Sequence, residues 1–85
     1  MAYYLLGTAY YRSSFHEEAE TSLKQALEIE PRLAAGHLML ANVYMKQRRW
    51  PSALEHLDVY LSENPTATDR PQIEETRTKV AARIR

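Results

Sequence analysis

The sequence predicts an all-α protein in which two helix-turn-helix hairpins stack in series and a C-terminal helix closes the stack. Three observations carry that expectation. Displacing the 85-residue chain by 34 positions superposes Leu6 on Leu40, Tyr10 on Tyr44, Ala19 on Ala53, Leu23 on Leu57, Leu27 on Leu61 and Pro31 on Pro65. A repeat period of roughly 20–50 residues marks stacked supersecondary units. Inside each unit the apolar residues recur at helical spacing, as Tyr3, Leu6, Gly7 and Tyr10 and again as Ala19, Leu23, Ala26 and Leu27. Each unit also ends on a proline, which cannot continue a helix.

The first helix opens almost at Met1 without a strong cap and carries Tyr3 to Tyr10. Ser14 and Glu17 fit a capping box, in which hydroxyl and carboxylate satisfy free amides at a helix start, so the second helix is expected from about Phe15 to Ile29. Pro31 closes it, and Leu33 to Lys46 form the third. Pro51 suits the first turn of a fourth helix reaching about Ser62, which Asn64-Pro65 stops. Asp69 with Gln72 offers a further start, and a fifth helix follows to about Ile84. Its apolar residues Ile73, Val80, Ala81 and Ile84 form a narrow stripe beside charged Glu74, Glu75, Arg77, Lys79 and Arg83, a pattern suited to covering the end of an array.

Composition narrows the chemistry. Eleven Lys and Arg balance eleven Asp and Glu, so no general field gathers nucleic acid or anionic membrane. The absence of cysteine removes disulfides, thiolate nucleophiles and cysteine metal sites. With two glycines, Gly7 and Gly36, the chain has neither GxxxxGK[ST] nor GxGxxG spacing to cradle a phosphate. No apolar run approaches the ~20 residues of a membrane span. The opening MAYYLLGTAYYR has no basic lead or small-residue cleavage site, so it reads as packing helix and not as a secretion signal. No cofactor is predicted, and the compartment is left open.

At this point the residues resemble the tetratricopeptide repeat family. The first unit carries Tyr3, Leu6-Gly7, Tyr10, Ala19, Leu23, Ala26 and Pro31 at the family's spacing, and the second carries His37, Leu40-Ala41, Tyr44, Ala53, Leu57, Tyr60 and Pro65. The resemblance covers residues 2 to 65 and implies a right-handed α-solenoid, with repeat one at 1–31, repeat two at 32–65 and a capping helix at 69–85. Gly7 with Ala19, and Ala41 with Ala53, are small where the two helices of each hairpin are expected to cross. Tyr60 in a small-residue slot is expected to face the terminal helix near Val80 or Ile84. Two repeats fall below the roughly three that an array usually needs, so the sequence also reads as a piece of a longer array whose open first flank self-associates.

The resemblance implies a concave face, lined by the first helix of each repeat, that holds a partner segment. By motif spacing this face takes Tyr4, Leu5, Thr8, Tyr11 and Arg12 from the first unit and Leu38, Met39, Asn42, Met45 and Lys46 from the second. The competing expectation is that residues such as Leu5 and Met39 simply fill the core. One family subtype clamps the C-terminal carboxylate of chaperone peptides with Lys and Asn. Here Tyr4, Thr8 and Met39 occupy those slots, so the clamp is missing.

Other motifs have plainer readings. Lys46, Arg48 and Arg49 before Trp50 are expected to complement a helix dipole and pack at a turn, not to bind nucleic acid. His16-Glu17-Glu18-Ala19-Glu20 lacks the second histidine of HExxH, so Glu17 and Glu18 read as a charged helix start. His37 and His56 lie on different helices and are expected to pack, not to coordinate a metal. No Ser, His and Asp grouping suggests a nucleophile. The expected function is therefore a non-enzymatic module that binds a protein or peptide partner, with no nucleic acid and no membrane insertion. The alternative is a structural role, in homo-oligomerisation or in docking to other domains of a longer parent.

Overall fold

In the computed structural model, which describes residues 1–84, five helices follow one another: α1 (Ala2–Arg12), α2 (His16–Ile29), α3 (Ala34–Lys46), α4 (Trp50–Glu63) and α5 (Arg70–Ala81). Each packs on the next, and α1 also touches α3, which sets the first helices of the two hairpins side by side. The predicted order and type of every element hold, and the ends agree to within three residues. The largest difference is at α5, which stops at Ala81, so Ile84 lies beyond the helix and is exposed.

The core follows the repeat. Leu23, Leu40, Leu57 and Val43 are fully buried, and each leucine contributes about 1.5–3 kcal/mol by leaving water. Ala19, Ala41 and Ala53 are equally buried at the helix crossings. At Gly7 the approach is tightest, because a Cβ added there sits 2.6 Å from Leu23 Cγ.

The connections also repeat. Glu30 to Leu33 and Asn64 to Ala67 form matching turns, closed by Leu33 N–H to Glu30 O at 3.1 Å and Ala67 N–H to Asn64 O at 3.2 Å. In each, proline holds the second position, where its fixed φ is already correct. Between the helices of each hairpin the chain ends one helix with a left-handed residue, Ser14 at φ 65° and Arg48 at φ 58°. Phe15 N–H then bonds Tyr10 O, and Arg49 N–H bonds Tyr44 O, both at 2.9 Å. These are Schellman closures, in which the amide after the left-handed residue returns to a free carbonyl of the last turn. The usual apolar contact across the closure is a Tyr10–Phe15 edge-to-face pair in the first hairpin. In the second it is the Arg49 guanidinium over the Tyr44 ring, 4.7 Å from its centre.

This geometry corrects two expected caps. Ser14 belongs to the end of α1, with Phe15 as the α2 N-cap, and no side-chain cap bond forms, so the Ser14–Glu17 box is not made. Asp69 does precede α5, but its carboxylate accepts the Tyr60 hydroxyl at 2.7 and 2.8 Å and caps nothing. Tyr60 thus anchors the start of α5 through its hydroxyl, in one buried cluster with Ile73 and Val80, and the bond to Asp69 raises its hydroxyl pKa.

Candidate protein-interaction face

The ten predicted face residues fall on α1 and α3. Leu5 is 62% exposed, and Arg12 and Lys46 are also exposed. Tyr4, Thr8, Tyr11, Leu38, Met39, Asn42 and Met45 are half-buried. Of these, Tyr4, Tyr11, Leu38, Met39 and Met45 pack against the buried core with part of their surface. Such residues support the fold and still present area outward, whereas Leu5 is free of the core. Thr8 donates its hydroxyl to Tyr4 O at 2.9 Å and keeps only acceptor capacity. Arg12 and Lys46 occupy the last turns of their helices, where cations complement the dipole and place positive charge at the same end of both helices.

Behind this face, polar groups tie the repeats together. Glu20 on α2 accepts from the Tyr44 hydroxyl at 3.1 Å and pairs with Arg49 and Lys24, each at 2.9 Å. Burial alone pushes the Glu20 carboxyl up, but the bonds from Lys24 and Tyr44, with the charges of Lys24 and Arg49, outweigh it and hold the pKa low. The Lys24 ammonium is held up by the same pair, and burial raises the Tyr44 hydroxyl. Arg49 therefore serves an inter-repeat ion pair and not the α3 dipole. Trp50 packs on the core as expected, under the Arg83 guanidinium at 5.2 Å. On α5, Arg77 pairs with Asp58 of α4.

His37 and His56 do pack, but on each other: their rings stack at 5.4 Å, and His56 also stacks on Tyr44. The sequence placed both on helices without showing that they meet, because His37 fills an aromatic slot and His56 has a serine as its repeat partner. Among the described residues no group of three or more His, Asp or Glu is placed to hold a metal, and no helix is long and apolar enough to cross a membrane.

Two helical hairpins repeated at one period, with alanines at the crossings and apolar first helices side by side, define a helical repeat protein. A family model described as tetratricopeptide repeat matches residues 4–68, and the chain belongs to that family. No curated protein matches the chain. Tetratricopeptide repeats are non-catalytic scaffolds that mediate protein–protein interactions.

Proposed function

We propose that the chain is a protein-interaction module that holds an extended partner segment along α1 and α3. The observation that carries this reading is a half-buried, mostly apolar surface, from Tyr4 to Met45, which ends in two exposed cations, Arg12 and Lys46. Tyr11 supplies rigid contact area, Met39 and Met45 adapt to a partner's shape, and Asn42 has an amide able to bond a peptide backbone. The paired cations favour a segment with an acidic residue or carboxylate at one end.

The test is affinity capture with the intact chain beside a Tyr11→Ala, Asn42→Ala, Met45→Ala variant and an Arg12→Glu, Lys46→Glu variant, each checked for native helicity. The charge-reversed variant leaves the core untouched. Partners retained by the intact chain and lost by both variants support the face. Equal recovery by all three overturns it.

A further inference from the structure

Repeat two shows how its flank is covered, and the same flank of repeat one is open. Leu40 is fully buried and Tyr44 is 3% exposed because α2 lies across them. Glu20 receives the Tyr44 hydroxyl and the Arg49 guanidinium, while Leu27 enters the notch at Gly36, where an added Cβ sits 3.0 Å from its Cδ2. Lys24, between them in sequence, lines one open pocket with Leu27, Leu40 and His56. At the equivalent positions of repeat one, Leu6 is 44% exposed and Tyr10 is half-buried. Together with Glu17, Glu18, Thr21 and Ser22 they line an open cavity of about 360 Å³. Met1, Tyr3, Leu5 and Phe15 are also exposed on or beside α1. Apolar surface gathered in this way marks an interaction site.

Where repeat one departs from repeat two, it specifies the occupant. Arg49, which draws Glu20 inward, is replaced by Phe15, whose ring meets Tyr10 edge to face. Pro51 and Ser52 are replaced by Glu17 and Glu18. An incoming carboxylate therefore meets two carboxylates and, among the described residues that line this cavity, no cation. An incoming ammonium or guanidinium meets two carboxylates and two aromatic rings, both of which attract it. His56 is replaced by Ser22, which leaves room over Leu6 for a bulkier apolar group than a lysine stem.

We propose that this flank binds an amphipathic helix of a partner protein, seated as α2 sits on α3, which carries Lys or Arg at position i and large apolar residues at i+4 and i+7. The stripe is the helix-in-groove mode of recognition, and its charge is the reverse of the one α2 presents.

Two 14-residue peptides test this: one with the α2 sequence, residues 16–29, and one carrying the changes Glu20→Lys and Lys24→Leu. Each is titrated into the isotope-labelled chain while the amide shifts of Leu6, Tyr10 and Thr21 are followed by NMR. The altered peptide is expected to bind at least about tenfold tighter and to shift these three residues. Leu6→Glu in the chain, a change at an exposed position, removes the binding, and Glu17→Lys with Glu18→Lys reverses the peptide preference. Because short isolated helices are marginal, each peptide is also joined ahead of Met1 through a copy of the Glu30–Leu33 turn. The altered helix should then raise the melting temperature more than the α2 sequence does. Equal affinities and equal melting temperatures overturn the proposal. So does a doubled mass in light scattering that Leu6→Glu returns to monomer, because the occupant is then a second copy.

Discussion

His37 Nδ1 lies 3.1 Å from His56 Nδ1, and the relationship joins three helices. His37 Nε2 is 2.8 Å from Pro31 O, just past the end of α2. A carbonyl only accepts, so Nε2 of His37 carries a proton, and with both rings neutral its Nδ1 offers a lone pair. His56 Nδ1–H donates to it.

Stability is expected to fall as pH drops below neutrality. Burial, then the neighbouring His37 and Lys24, lower the pKa of His56 from 6.5, against the opposing pull of Glu55. The unfolded chain thus binds this proton first, which weakens folding as pH falls below 6.5, and the loss levels off below the folded-state pKa. Urea unfolding at pH 7.5, 6 and 5 checks the slope, which should be shallower in His56→Gln. An identical slope would remove His56 as the cause.

Gly7→Ala is expected to destabilise the chain by about 1–3 kcal/mol, although alanine is the better helix former. The added carbon meets Leu23 Cγ at 2.6 Å and Leu23 Cδ2 at 2.9 Å, inside a filled crossing. Gly7→Leu should cost more. Thermal unfolding of the two variants gives the order.

Ser14→Gly and Arg48→Gly should each stabilise by about 0.5–1 kcal/mol, the cost of a left-handed L-residue less the chain entropy of glycine. Both positions are exposed and have positive φ, so little contact is lost. Melting temperatures above the parent's confirm the closure, whereas losses at both positions refute it.

Tyr60→Phe removes the hydroxyl that holds Asp69, at a cost of about 1 kcal/mol. The effect should be local: amide exchange speeds up across Arg70–Ala81 and little elsewhere. Uniform acceleration would contradict an anchoring role.

The number, order and type of helices were readable because periodicity reports one-dimensional burial: Leu6 and Leu40 announce the same role by recurring 34 residues apart. The small residues at the crossings were readable for the same reason. The hairpin turns were not, because Ser14 and Arg48 occupy left-handed positions where glycine is the usual signal. The Ser14–Glu17 pattern then suggested a cap that the Schellman closure forecloses. The ten proposed face residues do lie on α1 and α3, but their share in the core was hidden, since spacing does not tell a side chain that faces inward from one at the boundary.

Local rules of helix spacing and proline geometry act between residues a few positions apart, so the chain carries them in its order. The Glu20–Arg49 pair, the His37–His56 contact and the unequal burial of Leu6 and Leu40 follow from which helix lies against which. Identical residues at equivalent positions then differ, because burial is a property of the neighbour and not of the residue.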